Sequence, residues 1–253
     1  MTIRNQLIKG TERIHGCQPI LFCFPYAGGG ASAYNKWQEK FGEDICVCPV
    51  QLPGREERIM EKHYTDMGEL IADLISRIRL YADHPIYLFG HSMGAKIACE
   101  TARRLEEENC SVSGMVLSAS KPPFIPPTKL ISHLPDKEFI DELVKFNGIP
   151  QVLLDNREAL NFFIPMLRND FVMDEAYDEL RQYKLKCPII AIGGSEDSEA
   201  EYQHIVEWKR YTDNKFLCHV FSGGHFYIWD HEDEVIGMIK RLIDEVENGE
   251  KEK

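Results

Sequence analysis

Short apolar runs alternate along this chain with stretches in which apolar residues recur every three or four positions. The apolar runs predict β-strands at residues 21–24, 45–50, 86–89, 115–120, 188–193 and 216–221. The stretches with helical spacing predict α-helices at residues 31–41, 66–81, 94–105 and 235–246. Strands that alternate with helices in this way are typical of an α/β fold with a mostly parallel sheet and helices on both of its faces.

One long segment breaks this alternation. No strand is predicted between Ser120 and Cys187, where a proline-rich stretch, KPPFIPP, precedes helical patterns at residues 136–146 and 156–169. An all-helical insertion between two strands of a sheet predicts a mobile lid over one end of the sheet. We therefore expect a single domain over residues 1–253 with a helical lid insertion at residues 121–186; the alternative is a helical subdomain with a structural role alone.

Composition and charge restrict the classes of partner. The chain is 43% hydrophobic and 28% charged, which predicts a globular protein with a substantial core, and its formal net charge is −12. An acidic surface repels nucleic-acid phosphates and anionic lipid, so neither nucleic acid nor membrane is expected as a partner. No apolar run approaches the roughly 18 residues of a membrane-spanning helix. The first residues also lack the apolar centre of a secretory signal.

The eight cysteines do not form a recognisable disulfide or metal pattern. Six of them lie inside apolar runs, where cysteine behaves as a small hydrophobic residue. The chain has no C-x-x-C pair and no cysteine and histidine spacing that suits zinc. We expect reduced thiols, as in a cytoplasmic protein, and no metal.

A serine stands between two glycines in YLFGHSMGAK, residues 87–96, directly after a predicted strand. Gly90, Ser92 and Gly94 fit the pattern G-x-S-x-G, in which a strand turns so sharply into a helix that only glycine fits two residues before and after the serine. The turn lifts the hydroxyl clear of the strand end, and the helix amino terminus favours negative charge there. Since a predicted strand and helix flank it, Ser92 is predicted to be a nucleophile rather than part of an ordinary turn.

A serine hydroxyl needs a general base, and in hydrolases with this motif the chain order is serine, acid, histidine. His225, in a glycine-rich loop after the strand at 216–221, is the predicted base. Asp197, in the loop after the strand at 188–193, is the predicted acid, and its neighbour Glu196 is the alternative. The acid would orient the imidazole and stabilise its charged form without taking its proton.

The oxyanion of an acyl-transfer intermediate needs two backbone N–H donors. One is expected from Met93, and the other from the loop PYAGGG, residues 25–30, which follows the first predicted strand. This loop could instead be a phosphate cradle, but it matches neither G-x-G-x-x-G nor a P-loop with its lysine. Nucleotide binding is therefore disfavoured, and no cofactor is expected.

Six motifs in order resemble those of the type II thioesterases of nonribosomal peptide and polyketide biosynthesis: FPYAGGGASAY, LPGRE, FGHSMGAKIA, HLPD, GGSED and GGHFY. The resemblance runs from about Pro19 to the last helix and implies an α/β-hydrolase fold. It implies Ser92 as nucleophile, Asp197 as orienting acid and His225 as base. It also implies an oxyanion hole formed by Met93 together with Tyr26 or Ala27. Two positions depart from the family pattern: Glu196 stands where a second aspartate is frequent, and a third glycine, Gly30, is expected to loosen its loop.

The resemblance also implies the reaction and the partner. Such enzymes hydrolyse wrong acyl groups from the phosphopantetheine arm of acyl- or peptidyl-carrier domains, and this restores stalled synthetases; a cytoplasmic monomer is expected. Three alternatives remain. A carboxylesterase or lipase would use the same triad on oxygen esters, an acyltransferase would be longer and lack the GGSED loop, and a non-catalytic binding protein of this fold would have lost triad members.

Overall fold

A six-stranded parallel sheet forms the centre of the computed structural model, which describes residues 7–145, 148–149, 151–177 and 183–251. The strands follow the order β2-β1-β3-β4-β5-β6, and every neighbouring pair is parallel. Their bounds are β1 Ile20–Phe24, β2 Cys46–Pro49, β3 Ile86–His91, β4 Gly114–Ser118, β5 Ile189–Gly194 and β6 Phe216–Phe221. The predicted α/β fold with a parallel sheet is confirmed, and each predicted strand ends within two residues of the observed one.

Helices cover both faces of the sheet because successive strand residues point to opposite sides. The helices are α1 Trp37–Phe41, α2 Met67–Ile78, α3 Met93–Glu107, α4 Asp136–Lys145, α5 Gln151–Leu154, α6 Arg157–Ala176, α7 Tyr202–Ile205 and α8 Glu232–Lys251. In β1, Phe22 belongs to an apolar cluster with α2 and α3, whereas Cys23 belongs to one with α1 and α8. Asp66 caps α2 by accepting the Glu69 N–H at 3.0 Å.

The predicted helix over residues 31–41 is divided. A 3₁₀ turn, Ala31–Tyr34, precedes the short helix α1. Tyr34 and Trp37 are both fully buried, with ring centroids 5.8 and 4.8 Å from that of Phe89. Residues three apart lie on the same side of a 3₁₀ turn and of an α-helix alike, so both rings can reach this partner.

The insertion between β4 and β5 contains α4, α5 and α6, and its described residues include no named strand. It has an apolar cluster of its own, centred on Phe139, Leu143 and Ile164. Helix α6 continues past the predicted end at residue 169 to Ala176, and Met173 near its end joins the cluster beneath the sheet. Two acidic residues in the second half of α6, Asp170 and Asp174, form ion pairs with the body of the protein.

Two properties of the described chain bear on the predictions from composition. Within the described residues, no helix has both the length and the apolar character to cross a membrane. All eight cysteines lie in the described ranges, and each is a free thiol.

Candidate active site

Ser92 occupies a strained turn between β3 and α3. Its backbone has φ 56° and ψ −122°, a combination that residues other than glycine rarely adopt. The two flanking glycines leave room for this turn: a Cβ on Gly90 would overlap the main chain of Gly94, and a Cβ on Gly94 would overlap the carbonyl oxygen of Phe24. The Ser92 N–H donates to the carbonyl of Ser118 at 2.8 Å, which ties the turn to the end of β4. The serine hydroxyl therefore stands at the carboxyl end of the sheet.

Loops after β5 and β6 bring the predicted acid and base to the same serine. His225 Nε2 lies 2.9 Å from Ser92 Oγ, and His225 Nδ1 lies 2.9 Å from Asp197 Oδ2. An ionised carboxylate only accepts hydrogen bonds, so Nδ1–H donates to Asp197 and Nε2 is left to accept the Ser92 hydroxyl proton. This series has the geometry in which a serine can attack an acyl carbon with its proton passing to the imidazole.

The structure separates the two candidate acids. Asp197 is 4% exposed, and its other oxygen, Oδ1, accepts the N–H groups of Glu199 at 2.9 Å and Ala200 at 3.3 Å. These two bonds fix the carboxylate so that Oδ2 faces His225. The side chain of Glu196 is exposed, and its main-chain N–H donates to Gly223 at 2.8 Å. Of the two carboxylates, it is Asp197 that contacts the imidazole.

A second histidine, His91, packs beside the first and was not predicted as a site residue. It is fully buried, with its ring centroid 5.4 Å from that of His225. Its Nδ1 lies 2.8 Å from Ser118 Oγ, which in turn lies 2.7 Å from the hydroxyl of Tyr227. Burial is the main cause that lowers the pKa of His91 well below its ordinary value, so this ring is neutral at pH 7. Its position between Gly90 and Ser92 was the one available signal in the sequence.

Several hydrogen bonds hold the loop at residues 25–30, and the expected loosening by Gly30 stays a prediction. A Cβ on Gly30 would meet the carboxylate of Glu56, an exposed side chain that can move aside. The next residue, Ala31, donates its N–H to Gln51 Oε1 at 2.9 Å, and the Gly29 N–H donates to the Tyr26 carbonyl at 2.9 Å. Short-range turns and long-range partners together fix the path of this loop.

The segments that carry the two predicted oxyanion donors lie at the same end of the sheet as Ser92. Met93 is the first residue of α3, where main-chain N–H groups have no partner within the helix. The absent Cβ of Gly94 would also lie close to the Pro25 carbonyl oxygen, so the start of α3 abuts the end of β1. The ring of Tyr26 packs edge-on to His91 at 5.9 Å and to Phe226 at 5.0 Å.

Two other features of the described part of the chain bear on the kind of site it holds. No group of three or more His, Cys, Asp or Glu side chains is arranged there to hold a metal. An open groove of about 860 Å³ lies at the amino ends of the strands, the end of the sheet opposite Ser92. It is formed by the starts of β5 and β6 and by helix α8. Ser92, Asp197 and His225 do not line this groove, so its size does not bear on the chemistry at the serine.

Comparisons with known proteins agree on one family. The family model for the thioesterase domain matches residues 19–243. Linear gramicidin dehydrogenase LgrE of Brevibacillus parabrevis is 38% identical over 229 residues, which are 88% of this chain and 87% of that protein. Gramicidin S biosynthesis protein GrsT of Aneurinibacillus migulanus is 37% identical over 225 residues, 88% of each chain. The solved structure of the type II thioesterase BorB from the borrelidin biosynthetic cluster superposes with a TM-score of 0.85 at 32% identity, covering 94% of this chain and 98% of that one.

Proposed function

Because the chain belongs to the thioesterase domain family, we propose that it hydrolyses acyl thioesters on the phosphopantetheine arm of carrier domains, with Ser92 as its nucleophile. The observation that carries the proposal is the hydrogen-bonded series from Asp197 through His225 to Ser92, with both distances at 2.9 Å. It stands at the carboxyl end of a parallel sheet, where α/β folds bind their ligands.

In the first half of the reaction, Ser92 Oγ attacks the thioester carbon as its proton passes to His225 Nε2. Asp197 stabilises the imidazolium that forms and keeps its proton on Nδ1. The negative charge on the former carbonyl oxygen is stabilised by the N–H of Met93 and by an N–H from Tyr26 or Ala27. Collapse of this intermediate breaks the carbon–sulfur bond, and His225 gives its proton to the departing pantetheine sulfur.

In the second half, water replaces the thiol. His225 Nε2 takes a proton from the water as its oxygen attacks the acyl group on Ser92. The resulting tetrahedral intermediate uses the same oxyanion donors and collapses with protonation of Ser92 Oγ. A free carboxylic acid leaves, and the carrier thiol is available for a new cycle of loading.

Relatives from biosynthetic clusters support the carrier-bound form of the substrate. Gramicidin S biosynthesis protein GrsT is named for a biosynthetic pathway, and the type II thioesterase BorB comes from the borrelidin biosynthetic cluster. A thioester carbonyl has little resonance stabilisation, so the enzyme needs little binding energy to activate the bond. The binding energy from the carrier and its arm can then be used to select carrier-bound substrates. An enzyme that removes many wrong acyl groups then discriminates weakly among them, because each methylene in a pocket contributes only about 1–3 kcal/mol.

We assign the insertion at residues 121–186 to a lid within a single hydrolase domain. Helix α6 lies against the loop at residues 25–30: the Gly28 N–H donates to Asp170 Oδ2 at 2.7 Å, and a Cβ on Gly28 would overlap Leu167. The insertion thus borders the loop from which one oxyanion donor is expected. In this role the insertion limits access of water and substrate to Ser92.

The name of one relative, linear gramicidin dehydrogenase LgrE, raises dinucleotide binding at the glycine-rich loop as a second reading. Binding of a pyrophosphate there would use free main-chain N–H groups. In this loop the Gly28 N–H is bonded to Asp170, the Gly29 N–H to the Tyr26 carbonyl and the Ala31 N–H to Gln51. These internal partners favour the hydrolase reading.

The test compares one acetyl group on three leaving groups: the phosphopantetheine thiol of a carrier domain, coenzyme A and the oxygen of a p-nitrophenyl ester. Several acyl groups on the same carrier form the second series. We expect kcat/KM to be highest for the carrier thioester and to vary less among acyl groups than between carrier and coenzyme A. A long-chain oxygen ester that exceeded every carrier thioester would replace the proposal with an esterase. Equal kcat/KM for the coenzyme A thioester and the carrier thioester would contradict the part of the proposal that concerns the carrier.

A further inference from the structure

A buried ion pair joins two segments whose role the reaction scheme leaves unexplained. Arg55, in the loop after β2, is 3% exposed, and Asp170, in α6, is 1% exposed. Arg55 Nη1 lies 2.6 Å from Asp170 Oδ2, and Arg55 Nη2 lies 2.7 Å from Asp170 Oδ1. Two parallel bonds between a guanidinium and a carboxylate fix both groups in orientation as well as distance.

Both partners also bond to the glycine loop, to one residue each. The Gly28 N–H donates to Asp170 Oδ2 at 2.7 Å, and Arg55 Nη1 donates to the Gly29 carbonyl at 2.9 Å. Gly28 has φ +83°, so the backbone reverses here in a conformation that favours glycine. These contacts fix the Ala27–Gly28 and Gly29–Gly30 peptide groups, which come shortly after Tyr26 and Ala27, the residues expected to supply the donor.

The other end of the loop is tied to the same arginine segment. Gln51 Oε1 accepts the Ala31 N–H at 2.9 Å, and Gln51 Nε2 donates to the Arg55 carbonyl at 3.3 Å. The loop is therefore held at Gly28, at Gly29 and at Ala31 by groups outside it. Of these supports, Asp170 comes from the insertion, and the others come from the segment that follows β2.

We propose that Asp170 and Arg55 are positioning residues that hold the oxyanion-hole loop, residues 25–30. Through them, the lid helix α6 determines the position and direction of the N–H donor in this loop. The inference rests on the proposed function, because it assumes that this loop supplies a donor to the oxyanion of a thioester intermediate. Donors of this kind act only within about 2.7–3.1 Å of the oxyanion, and a displacement of about 1 Å can lower the rate about 100-fold. Neither residue is expected to touch the substrate.

The decisive variant is Asp170→Asn, which keeps an oxygen that can accept from Gly28 but removes the charge that holds Arg55. The matched control is Asp174→Asn, one turn further along α6. Asp174 also forms an ion pair with the body of the protein, at 3.0 Å from Lys96 Nζ, and no contact between it and the glycine loop is found. Both variants remove an ion pair that holds α6 to the body of the protein, but only Asp170→Asn also removes support for the glycine loop.

Four quantities are measured for each variant at a temperature well below its Tm, together with the pH profile of kcat: kcat and KM for an acetyl-carrier thioester, the Ki of an acyl-pantetheine trifluoromethyl ketone, and the Kd of the corresponding amide. The ketone adds to Ser92 and forms an oxyanion, whereas the amide binds as a ground-state mimic. We expect Asp170→Asn to lower kcat by about 10- to 100-fold and to raise the Ki of the ketone by the same factor. KM, the Kd of the amide and the pH profile should change little, and Asp174→Asn should resemble the parent in all of them.

A paired apolar variant, Arg55→Met with Asp170→Leu, covers the case in which Asp170→Asn does not fold. Replacing both members of a buried ion pair with apolar residues of similar volume often preserves stability. This variant removes both loop contacts, so the same selective loss of kcat and ketone affinity is expected. Parent-like kcat in either folded variant, an equal loss in Asp174→Asn, or a loss confined to KM and the amide would overturn the inference. Failure of the proposed function would instead appear as a parent enzyme that does not hydrolyse the carrier thioester.

Discussion

Replacement of Asp197 by asparagine tests the proposed acid without removing its shape. Oδ1 of Asp197 accepts two main-chain N–H groups, from Glu199 and Ala200, so an asparagine must place its carbonyl oxygen there. Its NH₂ group is then directed at His225 Nδ1, which has to accept. The imidazole proton moves to Nε2, and Nε2 can no longer accept the proton of Ser92 Oγ. The substitution therefore removes the base function and the charge stabilisation together.

The expected loss follows from this change of tautomer. The same substitution in a well-studied serine protease lowers kcat about 10⁴-fold, equivalent to about 5 kcal/mol of transition-state stabilisation. We expect Asp197→Asn to lose kcat with acetyl-carrier by that order, with an unchanged Tm because the side chain keeps its size and its Oδ1 bonds. Glu196→Gln is the control: its side chain is exposed, and kcat should stay within about twofold. Activity of Asp197→Asn within tenfold of the parent, or an equal loss in Glu196→Gln, would refute the assignment.

Three further predictions concern packing, pH and motion. Gly94→Ala forces a methyl group against the Phe24 carbonyl and should lower the free energy of unfolding, measured in urea, by about 1–3 kcal/mol. Gly237→Ala on α8, where a Cβ meets no atom within 4 Å, should not lower it, and equal effects of the two variants would contradict the packing argument. Because burial lowers the pKa of His91, the folded state resists protonation there, so stability falls as pH drops below the ordinary histidine value near 6.5. This fall amounts to at most about 1.4 kcal/mol per pH unit. His91→Asn, which can keep a bond to Ser118, should lose that part of the slope, and identical slopes in the two proteins would refute the argument. Amide hydrogen exchange should be faster in α4 and α5 than in β3, with the Asp170 end of α6 protected like the core, and equal protection of α4 and β3 would exclude a lid that opens.

The sequence was sufficient for those parts of the molecule that local patterns encode. Buried parallel strands are near-continuous apolar runs, so all six could be predicted, and the turn around Ser92 could be predicted because only glycine fits its flanks. The order of chain segments then selected His225 and Asp197. Those two residues lie 2.9 Å apart in the structure, although 28 positions separate them in the chain.

Contacts between distant segments could not be predicted in this way. Arg55 and Asp170 are 115 positions apart, and each reads in the sequence as an ordinary surface charge. Asp170 lies just past the predicted end of α6, and in the structure it is 1% exposed against its partner. The bond of His91 to Ser118, and that of Ser118 to Tyr227, could not be predicted for the same reason. A pattern of apolar and polar residues gives burial for apolar side chains, but not for a charge whose partner lies elsewhere.

The most direct test of thioester hydrolysis through Ser92 is intact-protein mass spectrometry of a carrier domain loaded with an acetyl group. The carrier is incubated with the parent enzyme, with Ser92→Ala and with buffer, and the mass of the carrier is followed over time. With the parent enzyme, the carrier should lose its acetyl group and regain the free phosphopantetheine thiol. The Ser92→Ala protein, with an unchanged Tm, should be slower by at least about 10⁴-fold. A carrier that keeps its acetyl group with the parent, or loses it at a comparable rate with Ser92→Ala, would contradict the account.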